Sequence, residues 1–144
     1  MGNRSIFAPA GTREIKDTLN RIKGREFYRP VAPICLEEGA KEIFDPRTPD
    51  PYMLFDHVVR DGWADRIPAI VHIDGTARLQ TVNKQQNAVV HELLSEYKKL
   101  TGIPLLCNTS ANFPGCGFFP DVKSATEWGG TKYFWSAGRL FTKS

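Results

Sequence analysis

The sequence is short of residues that staple or ligate. Its 144 residues hold three cysteines, Cys35, Cys107 and Cys116, and three histidines, His57, His72 and His91. The cysteine count is odd, the spacings are wide and no C-x-x-C occurs, which excludes a disulfide framework and a zinc knuckle. Reduced thiols point to a cytoplasmic protein. The histidines show no metal-ligand spacing, so no protein-held metal is expected. No apolar run approaches the roughly 20 residues of a membrane span, and the N-terminus lacks a charged region followed by an apolar one, so it is not a secretory signal. Walker A, G-x-G-x-x-G and nucleophile-elbow motifs are all missing. Formal net charge is +3, too small to imply nucleic-acid binding.

What is present fits one domain over residues 1–144: hydrophobic residues are 41% and charged residues 24% of the chain, enough for a single core. Positive charge is concentrated early. Arg4, Arg13, Lys16, Arg21, Lys23, Arg25 and Arg29 stand against Glu14, Asp17 and Glu26 in the first thirty residues, which suggests an anionic ligand or partner surface.

Periodicity gives the elements. Ile15, Leu19 and Ile22 predict an amphipathic helix over 13–22, capped by Thr12 and ended at Gly24. Residues 27–38 read as extended and 37–44 as a helix. Strands are expected over 52–59, 67–73, 77–82 and 103–107, with a turn at Asp74-Gly75. The surest helix spans 84–101, capped by Asn83 with Gln86 three residues on, buried along Val90, Leu93, Leu94, Tyr97 and Leu100, and stopped by Gly102. A short helix over 121–128 and one or two strands over 132–142 complete an α/β (α+β) domain with a mixed sheet and roughly three helices.

The candidate site residues are polar or basic. Lys23, Arg25 and Arg29 form a basic triplet between a helix and an extended segment; such runs are more often solvated faces. Arg78 alternates with apolar residues after the turn, as a partner for Asp74 or as a ligand contact. Ser110 and Asn112 lie in a loop of small residues after a buried strand. Such a loop can bring backbone N–H groups to a phosphate, and ordinary turns use the same residues. His72 reads as a packed strand histidine. Phosphate-ester binding is the best single reading.

Several stretches then resemble one family in order: "GNRSIFAPAGTREIKDTLNRIKGREFYRPVAPICLEE", "PYMLF", "IPAIVHIDGTARLQTV" and "TGIPLLCNTSAN". They are similar to the C-terminal region of NodU/CmcH-type carbamoyltransferases. The resemblance implies a YrdC-like open twisted mixed sheet with flanking helices, usually preceded by an actin-like, metal-binding domain. This chain opens inside the family's G-P-R-A-[L/M]-G-N-R-S motif, so either the actin-like domain is expected to be a separate partner polypeptide, or Met1 is expected to be an internal methionine taken as the start in a split or degraded gene.

The YrdC-type K-x-R … S-x-N pattern is matched by Lys23-Gly24-Arg25 and Ser110-Ala111-Asn112. The activity implied is reaction of ATP, carrying Mg²⁺, with carbamoyl phosphate to give carbamoyl adenylate for O-carbamoylation of an acceptor hydroxyl. Lys23, Arg25 and Arg78 would neutralise the substrates, with Arg29, His72, Thr76, Ser110 and Asn112 binding them. Past Asn112 the family continues with G-E-P, whereas this chain reads Phe113-Pro114-Gly115-Cys116-Gly117-Phe118. The alternatives are a non-catalytic nucleotide- or RNA-binding module and an inactive relic.

Overall fold

The computed structural model describes residues 2–113, 115 and 117–143. The elements run β1 (Ser5–Ala8), α1 (Arg13–Ile22), β2 (Ala32–Leu36), α2 (Glu37–Ile43), β3 (Phe44–Asp45), β4 (His57–Val59), β5 (Thr76–Ala77), β6 (Gln80–Val82), α3 (Ala88–Thr101), β7 (Leu105–Ser110), α4 (Val122–Trp128), β8 (Tyr133–Ser136) and β9 (Arg139–Thr142).

The central sheet has the order β1-β7-β2-β6. Strand β7 is antiparallel to both neighbours, while β2 and β6 run parallel. All five residues of β2 are buried, as a strand covered on both faces requires. On one face α3 packs Val90 and Leu94 against Ile34, Leu36, Val82 and Leu106. The other face is filled from α1, α2 and the segment around 67–70, where Leu19, Ile43, Ile67 and Ile70 meet Cys35, Leu105 and Cys107. A small sheet β3-β4-β5 and the hairpin β8-β9 lie outside this sheet. The result is an α/β domain with a mixed sheet.

Helix α2 follows β2 directly, and Gly39 lets it pack closely on Pro104. A Cβ there would stand 2.8 Å from Pro104 Cβ, inside any real contact. Helix α3 ends at Gly102, which takes the left-handed conformation at φ 73° and donates its N–H to Lys98 O, as a glycine C-cap does.

Several expected elements differ. Residues 67–73 form turns: Ile67 N donates to Trp63 O, Ile70 N to Ile67 O, and Ala69 N to Ala10 O. Ile67, Ala69 and Ile70 are buried all the same; the apolar run reflects burial, which periodicity alone cannot assign to a strand. The expected strand over 77–82 is split at Arg78-Leu79, where Leu79 N turns back to Ala77 O, so its halves enter two sheets. Of 52–59 only His57–Val59 is strand. The Asp50 carboxylate takes the N–H groups of Leu54 and Phe55 at 3.0 and 2.9 Å, and this folds 50–55 into a loop. Helix α3 starts four residues late, at Ala88, capped by Asn87. Asn83 instead closes a separate turn by accepting from Gln85 N and Gln86 N. Of its expected stripe, Leu93 and Leu100 are exposed, since α3 meets one narrow sheet face. Thr12 makes no side-chain cap bond, while the four helices among the described residues fall at the four places the sequence indicates.

Candidate functional site

Two neighbouring structures bring the K-x-R and S-x-N residues together. Helix α1 ends at Ile22, and Lys23 and Arg25 then face β7. Strand β7 runs longer than expected, so Ser110 is its last residue rather than part of a loop. Lys23 Nζ donates to Ser110 O at 2.8 Å, Asn112 O at 2.9 Å and Asn112 Oδ1 at 2.6 Å. An ammonium has three protons, so Lys23 meets an acceptor with each of them. It is 5% exposed. Burial first, then the nearby Arg25 charge, lowers its pKa. Lys23 therefore acts as a clamp that fixes the S-x-N turn. Asn112 Oδ1 also accepts from Ser110 Oγ at 2.5 Å, which ties the two residues to each other.

Arg25 Nη2 donates to Thr109 Oγ1. Burial first, then the charges of Arg29 and Arg78, lower the pKa of its guanidinium. Three guanidiniums thus share one field. Arg25 and Arg78 line an open cleft of about 590 Å³ with Arg4, Gln80, Asn108 and Ser110. Among the described residues no carboxylate lines it. Such a cleft favours anions, because like charges are held together by the fold with nothing opposite in sign to offset them.

The remaining expected residues fall elsewhere. Arg29 pairs with Glu26 at 3.1 Å in an exposed contact, so it adds to the field without lining the cleft. His72 and Thr76 bond to each other, Nδ1 to Oγ1 at 3.0 Å. Thr76 donates from N and Oγ1 to Asp74 Oδ1, a self-contained turn outside the cleft lining. Asp74 is thereby engaged by Thr76, and among the described residues no ion pair joins it to Arg78. Pro114 and Cys116, which depart from the family pattern, lie outside the described residues. Asn112 does form a bridge to Phe118 across that segment.

Three lining residues were missed by sequence reasoning. Arg4 lies over the Phe118 ring at 5.4 Å and stands in "GNRSI", where the sequence marks it only as one of the early positive charges. Asn108 donates to Gln80 Oε1 at 2.7 Å. Polar residues in an otherwise apolar strand were the available signal for both amides.

The geometry can be set beside known proteins. Residues 1–132 match the family described as Carbamoyltransferase C-terminus. The chain is 61% identical over 143 residues to Nodulation protein U of Rhizobium tropici, covering 99% of this chain and 25% of that protein. Nodulation protein U of Bradyrhizobium diazoefficiens is 56% identical over 144 residues, covering 100% of this chain and 25% of its own length. The 3'-hydroxymethylcephem-O-carbamoyltransferase of Streptomyces clavuligerus is 41% identical over 131 residues, 89% of this chain and 25% of that protein. The chain thus spans about a quarter of the length of these relatives. The likeness to the nodulation proteins continues past Asn112, through the segment that departs from the broader family pattern.

Proposed function

Because this chain belongs to the carbamoyltransferase C-terminal family, we propose that its cleft binds ATP and carbamoyl phosphate and forms carbamoyl adenylate. A separate actin-like domain then passes the carbamoyl group to an acceptor hydroxyl. The observation that carries this reading is the cleft lined by Arg4, Arg25 and Arg78 with no described carboxylate. Two polyanions must be brought together there, and fixed positive charge is what lowers that barrier.

The reaction joins a carbamate oxygen to the α-phosphorus of ATP and expels pyrophosphate. Starting from carbamoyl phosphate, the balance takes up one water and releases orthophosphate as well. The protein supplies position and charge, with no covalent nucleophile. Arg25 and Arg78 hold phosphate oxygens, for which a guanidinium fork is suited. Lys23 keeps Ser110 and Asn112 in register, so that the Ser110 end of β7 borders the ligand. Mg²⁺ enters with the nucleotide as part of the substrate, on phosphate oxygens; the cleft's donor set of arginines and amides complements those oxygens rather than the cation.

The test is pyrophosphate release from ATP and Mg²⁺ in the presence and absence of carbamoyl phosphate. Release that depends on carbamoyl phosphate supports the reading. Silence, even with the N-terminal part of a full-length relative added, contradicts it.

A further inference from the structure

Phe118 and Phe119 are adjacent in the chain and differ sharply in burial. Phe118 pairs with Asn112 in a single antiparallel bridge, and Phe119 N donates to Ala111 O at 3.3 Å. In extended backbone successive side chains point to opposite faces. Phe119 turns inward and is 9% exposed. It packs against the rings of Phe113 and Trp128, at centroid distances of 4.7 and 5.1 Å. Phe118 turns outward, is 50% exposed and borders the cleft.

A lone exposed phenylalanine is ordinary on a protein surface. This one is the sole aromatic side chain among the described residues lining a cleft that also holds Arg4, Arg25 and Arg78. It is held in two ways. Its backbone is bridged to Asn112, whose carbonyl and Oδ1 accept from Lys23 Nζ. The Arg4 guanidinium lies over its ring at 5.4 Å, a cation–π contact. A ring already fixed in place loses little freedom when a ligand covers it, and covering it takes apolar surface out of water. A ligand that uses both features of the cleft carries anionic groups for the guanidiniums and a flat face for the ring. Carbamoyl phosphate has the charge and no such face. A nucleoside triphosphate has both, its phosphates and its base.

We infer that Phe118 is the platform for the base of the bound nucleotide: the base stacks on the open part of the ring while the phosphates meet the guanidiniums. This rests on the proposed function and adds to it the residue that tells a nucleotide from any other polyphosphate. Every base has a π face, so stacking is tolerant of base identity, and Phe118 selects for a nucleotide rather than for adenine in particular. The ring belongs to the Phe113–Phe118 segment, where the chain departs from the G-E-P of the broader family pattern. That segment thereby brings its own contact to the nucleotide.

The experiment is calorimetric titration of the 144-residue chain, in the presence of Mg²⁺, with ATP and separately with inorganic tripolyphosphate, which carries the phosphates without the base. Phe118→Ala is expected to weaken ATP about tenfold or more, as loss of a stacking platform does, and to leave tripolyphosphate within about twofold. Phe118→Trp keeps a platform and is expected to hold ATP as wild-type protein does. Its added indole fluorescence, read against the three native tryptophans of the wild-type chain, should fall with ATP and not with tripolyphosphate. This second variant decides the matter if Phe118→Ala does not fold or if tripolyphosphate does not bind. Equal weakening of the two ligands in Phe118→Ala, or no weakening of ATP, overturns the inference and leaves the proposed function standing. So does an indole signal that ATP leaves unchanged or that tripolyphosphate quenches equally. Failure of wild-type protein to bind ATP overturns both.

Discussion

Arg78 is exposed on the cleft, and among the described residues it forms no ion pair. Its removal should therefore leave the fold alone while damaging the chemistry. Arg78→Ala is expected to shift unfolding free energy by no more than about 0.5 kcal/mol. Carbamoyl-phosphate-dependent pyrophosphate release should fall about a hundredfold or more, as loss of a charge aimed at the transition state does. Parallel urea melts and rate assays separate the two effects. Asp50 has the opposite character. It is 2% exposed and lies 3.4 Å from His57 Nε2. Burial pushes its pKa up, but the Leu54 and Phe55 N–H groups and His57 outweigh this and hold it below the ordinary carboxylate value. A depressed folded pKa means the unfolded chain takes up the proton first as pH falls. The stabilisation is complete above the ordinary value of about 4 and is lost as pH falls through the lower folded value. Asp50→Ala is expected to cost about 3 kcal/mol near neutral pH and to flatten that acid limb in denaturation curves taken from pH 2 to 7.

At the level of elements, the two asparagines before α3 separate what periodicity can and cannot locate. Asn87 Oδ1 accepts from Val90 N at 3.1 Å and caps the helix, while Asn83 Oδ1 serves the preceding turn. Asn87→Ala should cost about 1 kcal/mol, and Asn83→Ala less, by equilibrium unfolding; the reverse order would show that the helix begins where the Asn83–Gln86 pattern suggests. The pattern misleads because Gln86 Oε1 does receive the Asn83 N–H, at 3.2 Å, so a capping-box signature closes a single turn. Helices α1, α2 and α4 lie close to where the sequence puts them, because caps, glycines and periodic apolar residues are local signals. The strands are less legible. Residues 67–73 look like a strand because Ile67, Ala69 and Ile70 are buried, yet their backbone partners are in turns. Thr76–Ala77 and Gln80–Val82 read as one strand because nothing local marks the turn at Leu79 that sends them into different sheets.

Over the whole molecule, the sheet order β1-β7-β2-β6 decides where the site forms. It sets β7 beside β1 and β2, so Ser110 pairs with Ser5 and Asn108 with Ala32. The cleft then collects residues from the N-terminal strand, the loop after α1, the 50–55 loop and β7. Lys23, Arg25, Ser110 and Asn112 were legible as a set only through the resemblance to a family. Arg4, Gln80 and Asn108 were not, since their meaning is a relation across distant positions, such as Asn108 to Gln80. The same packing shields two thiols. Burial raises the Cys35 thiol well above its ordinary range and pushes Cys107 up to about 12. With both cysteines buried, neither should react with iodoacetamide at pH 8 until the chain is unfolded, by mass mapping of the labelled peptides. Labelling of either in the native protein would contradict this packing.

The product proposed for this cleft is a mixed anhydride of carbamate and AMP. Phosphorus NMR on a mixture of the protein, ATP, Mg²⁺ and carbon-13-labelled carbamoyl phosphate tests it, because the new C–O–P linkage couples the labelled carbon to the AMP phosphorus. The expected result is an AMP phosphorus resonance split by carbon-13, accompanied by free pyrophosphate and absent from Arg78→Ala on the same timescale. Unchanged ATP beside slowly hydrolysing carbamoyl phosphate, even with the N-terminal part of a longer relative present, would contradict it.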